Sequence, residues 1–329
     1  MFKTRLFVLA LASVSVIPSC FGATLTEDFS SNPFLNGWKV SGDANLFQWS
    51  ASNQNLRVTW DSAQPNSYFY HPLDTVLARD NDFSLSFDLR LDDIGAGPDT
   101  NKLSSFPIAI GFINLDVATR TNFFRGTGTD SPDLAEFAYF WDSGFGATSW
   151  PSLVDTNSDF NYNSSSDYAI LALTPGDTYH IAMTYHAVSQ TLVSTITNQT
   201  TLSGVLLTQP LSTNFTDFRL GSVSINSYSE AGQDPQYAGS VLAHGVVDNL
   251  VATFSSPPLQ PLAQVFTQGT WKIQFSGATN WIYTLQRTAD LHNWAAASSP
   301  TPGTGAAIFL SATNAPNSAA FYRIRAARP

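Results

Sequence analysis

Phe83, Leu85, Phe87, Leu89 and Leu91 alternate with Ser84, Ser86, Asp88 and Arg90 without interruption. A period of two sends alternate side chains to opposite faces of a sheet, and no helix gathers that pattern on one side. The segment therefore predicts a half-buried strand, and Ile108, Ile110 and Phe112 repeat the rhythm. Further strands are predicted at 54–60, 68–71, 136–141, 179–185, 191–197, 218–224 and 246–254, with turn clusters at 95–98, 126–133 and 161–167. Many short strands without an amphipathic helix predict an all-β protein whose main domain is a two-sheet β-sandwich. Composition points the same way. The acids are 22 Asp and only three Glu, and Lys occurs four times, so strong helix formers are scarce.

The first 22 residues read as an export signal. Lys3 and Arg5 precede an apolar run from Leu6 to Ile17, too short to span a bilayer, and Cys20 and Gly22 suit cleavage before Ala23. The expected location is outside the cell, in the periplasm or at the cell surface; a lipoprotein signal ending at Cys20 is the alternative. Cleavage would take the net charge from −10 to −12 and remove the single cysteine. A disulfide framework and thiol chemistry are then excluded. The acidic balance also excludes a partner bound through clustered phosphate contacts, as nucleic acids are. No other segment is apolar enough for a membrane span.

A proline-punctuated stretch, 255–261, reads as a stiff linker after a main domain at 23–254. Beyond it, at 262–329, Trp271/Ile273/Phe275 and Trp281/Tyr283/Leu285 alternate again, and 307–311 and 321–325 complete a small β-sandwich module. The module carries Lys272, Arg287, Arg323, Arg325 and Arg328 against Asp290 alone, a net charge of +4.

Three segments of the main domain resemble the concanavalin A-like lectin/glucanase superfamily, particularly its laminin G-like members. Glu27-Asp28-Phe29-Ser30, followed by Gly37-Trp38, resembles their opening strand and loop; Tyr179-His180-Ile181-Ala182 is similar to an internal strand; and Val247-Asp248-Asn249-Leu250 resembles their closing strand. The C-terminal module looks like small β modules at the ends of secreted environmental-bacterial proteins. The resemblance implies a jelly roll with a concave sheet that commonly binds glycans.

Glucan-cutting members of that superfamily carry a Glu-x-Asp-x-Glu-like strand whose carboxylates act as nucleophile and acid/base about 5–5.5 Å apart. The nearest segment here places Glu136, Ala138, Phe140 and Asp142 on one strand face, so both inner carboxylates are missing. Glu136 and Asp142 stand roughly 20 Å apart along a strand, too far for such a pair. No catalytic residue is assigned. His180 and His186 are similarly distant, and His71, His244 and His292 are isolated, so the histidines read as strand residues bonded to neighbours.

Two expectations remain. Aromatic faces stack on sugar rings while polar side chains grip hydroxyls. On that ground Arg125, Glu136, Phe140, Asp142 and Trp150 form the expected ligand patch, with Phe137, Tyr139 and Trp141 on the opposite, core-facing side. One structural calcium ion is expected to join the terminal strands through Glu27 or Asp28 and Asp248, because an exported chain without cysteines lacks a covalent clamp there. The function expected is a non-catalytic, lectin-like protein for an extracellular polysaccharide or glycan. A divergent glycoside hydrolase or lyase, and a structural or adhesive surface protein, are the alternatives.

Overall fold

A computed structural model of the chain describes residues 22–97, 108–120, 134–141, 146–151, 169–211, 218–228, 239–256, 259–267, 269–313 and 320–328. The strands of the first part are β1 (Ala23–Glu27), β2 (Lys39–Ser41), β3 (Phe47–Ser50), β4 (Asn55–Asp61), β5 (Ser67–Leu77), β6 (Phe83–Ala96) and β7 (Ile108–Ile113). A helical turn, α1 (Leu115–Ala118), follows. Next come β8 (Leu134–Phe140), β9 (Gly146–Pro151), β10 (Thr178–His186), β11 (Thr191–Asn198), β12 (Gly204–Pro210), β13 (Leu220–Ser227) and β14 (Val241–Phe254). They form an antiparallel jelly-roll sandwich. One sheet has the order β12-β11-β10-β6-β14-β4-β3, with β1 also paired to β14; the other has the order β2-β5-β13-β7-β8-β9.

The predicted alternation fills the space between the sheets. Phe83, Leu85, Phe87, Leu89 and Leu91 are all buried, and so are Ile108, Ile110 and Phe112 across from them. Phe87 meets Phe137 edge-on at 6.0 Å, and Phe83 meets Phe112 at 5.1 Å. Phe137 and Tyr139 lie in this core, as their alternation with Glu136 predicts, and Trp141 packs against it.

The long last strand closes the sandwich. Its first half pairs with β4 from Leu242 to Val247, and its second half pairs with β1 from Leu250 to Phe254. Between the two halves the register to β6 shifts, and Asn249 adopts a left-handed backbone, φ 51°. Asn is among the few non-glycine residues that tolerate this conformation. The Asp248-Asn249 pair is thus a bulge at which β14 passes from one partner strand to the next. The opening strand ends at Glu27. Phe29 follows in a left-handed conformation, φ 51°, held by its N–H to Glu27 Oε1 (2.8 Å) and its carbonyl to Trp49 Nε1 (2.8 Å).

The C-terminal module contains β15 (Leu259–Thr267), β16 (Thr270–Gly277), β17 (Ile282–Thr288), β18 (Ala295–Ala296), β19 (Thr301–Pro302), β20 (Ala307–Ala312) and β21 (Phe321–Ala327). β15, β16 and β20 make one sheet; β17 pairs with β18, β19 and β21 in the other. Phe275, Tyr283 and Leu285 are fully buried between them. The expected linker is shorter than 255–261, because β15 begins at Leu259 and includes Pro261. Proline is tolerated there because β15 is an edge strand and its register shifts just after Pro261.

The module does not hang free. Val76 of the sandwich packs against the module core. Arg328, whose side chain is only 7% exposed, donates to Val76 O (3.2 Å), Asn81 Oδ1 (2.7 Å) and the Asp80 carboxylate, and lies over the Trp281 ring. Asn280 Nδ2 donates to the second Asp80 oxygen (3.2 Å). Hydrogen bonds to charged groups contribute about 1.5–3 kcal/mol each when their loss strands a partner. Arg328→Ala is therefore expected to undock the module, splitting one calorimetric transition into two with the module melting first. A single transition at an unchanged temperature would show that Arg328 does not couple the two parts.

Candidate ligand face on the six-stranded sheet

The two faces of the six-stranded sheet separate by parity. In β8 the odd residues Ala135, Phe137 and Tyr139 join the core, so Glu136, Ala138 and Phe140 turn to the outer face. Register then builds two rows across this face. One runs Tyr70, Ser224, Gly111, Glu136 and Trp150; the other runs Tyr68, Asn226, Ala109, Ala138 and Thr148.

Glu136 is fully buried on this outer face. Its Oε2 accepts from Tyr228 Oη (3.0 Å) and from Asn226 Nδ2 (3.2 Å), which also donates to Tyr228 Oη at 3.2 Å. Asn226 belongs to β13, two strands away from β8 in the sheet order. Neighbouring strands are about 4.8 Å apart, so the glutamate must lean across β7 to make this contact. Small side chains on β7 make room. A Cβ at Gly111 would stand 2.3 Å from Ala135 O and 2.4 Å from Glu136 Cα, and the next outer position is Ala109. Tyr68 closes the flank, its ring 6.1 Å from that of Tyr228 and its hydroxyl bonded to Ala118 O (2.9 Å).

Among the described residues two polar atoms of this face have no hydrogen-bond partner, Ser224 Oγ and Asn226 Oδ1, and both residues are fully buried. Buried polar atoms normally have partners, and leaving one unmatched costs about 1–3 kcal/mol. The face thus holds a buried carboxylate, amide oxygen and hydroxyl, and it also carries the partly exposed Tyr70 and Phe140. Among the described residues neither row contains a second carboxylate.

Of the expected ligand patch, the fold brings Glu136 and Phe140 to one face and makes Trp150 the register partner of Glu136. Arg125, Asp142 and the Trp150 side chain lie outside the described residues. The sequence reading missed Ser224, Asn226 and Tyr228. A signal was present: Ser222, Ser224 and Asn226 alternate with Val223 and Ile225, placing a polar stripe on a buried strand.

The eight-stranded sheet carries charge on its outer face. Asp88 accepts from His180 Nδ1 (2.8 Å) and Gln199 Nε2 (2.9 Å) through Oδ1, and from Asn249 Nδ2 (2.9 Å) through Oδ2. His244 Nδ1 donates to Asp93 (2.8 Å), and His71 contacts the carbonyls of Pro72 (2.6 Å) and Asn36 (3.0 Å). These three histidines are bonded to neighbours, as expected.

Pairing of β1 with β14 brings Glu27, Asp28 and Asp248 to one end of the sandwich. Burial pushes the Asp248 carboxyl up, against the pull of the Asn249 N–H, and Asp88, Asp28 and Glu27 add repulsion. Asp28 is held below the usual carboxylate range by Ser30, side chain first and then backbone N–H. Glu27 is engaged through both oxygens, by Phe29 N (2.8 Å) and Asn36 Nδ2 (3.3 Å). Among the described residues no three His, Cys, Asp or Glu side chains are grouped to hold a metal ion.

No family model matches this sequence, and no curated protein does. Among solved structures the chain is similar to legume lectins. Peanut lectin, solved with a 9mer peptide, shares 13% identity at a TM-score of 0.44, over 71% of this chain and 99% of that one. The lectin UEA-II complexed with galactose shares 14% identity at 0.46, over 71% and 98%. Arcelin-5, a lectin-like defense protein from Phaseolus vulgaris, shares 11% at 0.42, over 71% and 98%. The jelly roll of this chain rests on its own sheet order and register.

Proposed function

We propose that the outer face of the six-stranded sheet binds a saccharide without cleaving it. The observation that carries this reading is the buried Glu136–Tyr228–Asn226 cluster with the unmatched Ser224 Oγ and Asn226 Oδ1 beside it. Sugars recognised in a protein site match hydroxyls to such carboxylate, amide and hydroxyl groups, and lay their apolar faces on aromatic rings. Hydrogen bonds made in this shielded setting are stronger than in water. Export, and with it an extracellular polysaccharide as the target, is part of the same proposal and rests on the character of residues 1–22. Among the described residues no helix is long and apolar enough to cross a membrane.

The test uses Ser224→Ala. Because Ser224 Oγ has no partner among the described residues, its removal should leave stability unchanged or slightly raised. If the hydroxyl serves a ligand, binding to the best saccharide on a glycan array should fall roughly 3- to 10-fold. Glu136→Gln should weaken the same binding further, and neither protein should release shortened products. An array without a binder, or product release abolished by Glu136→Gln, would overturn the proposal.

A structural calcium ion at the paired termini is a second proposal. Asp248 with Glu27 or Asp28 would hold it, and carbonyls and water would complete the six to eight oxygens that calcium takes. It rests on the pairing of β1 with β14 and on the mutual repulsion of these carboxylates. In metal-free protein the folded state holds the Asp248 proton more tightly than the unfolded chain does. Ionised Asp248 therefore lowers stability above its folded pKa, and the penalty is relieved as pH falls toward the unfolded value near about 3.9. Asp248→Asn is expected to raise the melting temperature of metal-free protein at neutral pH and flatten that pH dependence. Calcium should stabilise the parent chain, by about 2.7 kcal/mol at one hundred times its dissociation constant, and leave the variant unmoved. A parent melting curve indifferent to chelator and to added calcium would contradict the proposal.

A further inference from the structure

We propose that the C-terminal module binds an anionic polysaccharide on the outer face of the β17–β21 pair. Phe321, Arg323 and Arg325 stand on one face of β21, and all three are exposed. Their register partners on β17 are Thr288, Gln286 and Thr284, all uncharged. Arg323 is fixed in place. Its guanidinium lies 4.1 Å over the Trp294 ring, and its Nε donates to Gln286 Oε1 at 2.8 Å. A guanidinium held flat by stacking keeps its other N–H groups aimed outward and loses little freedom when an anion arrives.

Among the described residues no acid forms an ion pair with Arg323 or Arg325. The one acid of the module, Asp290, accepts from Thr288 Oγ1, the N–H groups of His292 and Asn293, and Asn293 Nδ2. These bonds, the Asn293 backbone N–H first, hold its carboxyl far below the usual range. Arg328, by contrast, is committed to Asp80. The patch therefore stays cationic on a chain whose net charge is −10, and the module itself carries +4.

The geometry selects the partner class. Arg323 and Arg325 are two residues apart on a strand, so their side chains leave the sheet about 7 Å from one another in a line. A linear polymer with repeated carboxylates or sulfates matches that line, and half-exposed Phe321 adds an apolar surface at one end. A duplex nucleic acid calls for the larger number of basic contacts that this face lacks. A membrane surface returns only about 1 kcal/mol per basic residue, too little for an acidic chain with two such arginines. This inference is independent of the six-stranded sheet.

The experiment compares the full chain with Arg323→Gln/Arg325→Gln on immobilised polygalacturonate, dextran sulfate and neutral dextran, and on phosphatidylglycerol vesicles. The parent should bind one or both acidic polymers, release them as salt is raised, and ignore dextran and vesicles. The double variant should bind at least tenfold more weakly at an unchanged melting temperature. Equal binding by parent and variant, equal retention on dextran, or binding to vesicles alone would each overturn the proposal.

Discussion

Everything in the sandwich depends on how β14 is shared. It is the strand that β6, β4 and β1 all pair with, and it can serve both β4 and β1 along one edge only by changing partners midway. The Asp248-Asn249 bulge makes that change, with Asn249 in a left-handed conformation and its amide anchored on Asp88. Without the bulge, β14 would have one partner on that side, and β1 would lose the edge that buries Leu250, Ala252 and Phe254 in the core. Glu27 reinforces the junction from the other side by holding the strained turn at Phe29.

Closure of this sheet also positions the candidate ligand face. The core between the sheets is filled by large aromatic and aliphatic residues, so the odd residues of β8 are fully committed inward and Glu136 has no alternative but the outer face. There, Gly111 and Ala109 leave a trough over β7 that the carboxylate crosses to reach Asn226 and Tyr228. A larger residue at position 111 would meet backbone atoms of β8 directly. The polar cluster is therefore a product of strand order and of two small side chains, as much as of the polar residues themselves.

Strand parity was legible in the sequence wherever an alternation ran for several residues. It placed Phe83–Leu91 inward and separated Glu136 from Phe137 and Tyr139 correctly. The three-residue β2 was too short to show a period, and β9 and β12 alternate weakly, so none of them was anticipated. Pro261 looked like a linker residue because the edge position that tolerates it is a property of the folded sheet. The partners of Glu136 were hidden for a related reason: Asn226 and Tyr228 follow it by some ninety residues, and only the sheet order β13-β7-β8 brings them together. The arginines of the C-terminal module were visible as a charge excess, but which of them stays uncommitted required knowing that Arg328 is buried against Asp80.

The central claim is that ligand reaches the six-stranded sheet and leaves the outer face of the eight-stranded sheet alone. Amide hydrogen exchange, followed with and without the tightest-binding saccharide, tests it most directly. The account predicts added protection at Leu134–Phe140 and Leu220–Ser227, with Phe83–Ala96 and Thr178–His186 unchanged. Protection confined to those last two strands would place the ligand on the Asp88 face and contradict the account.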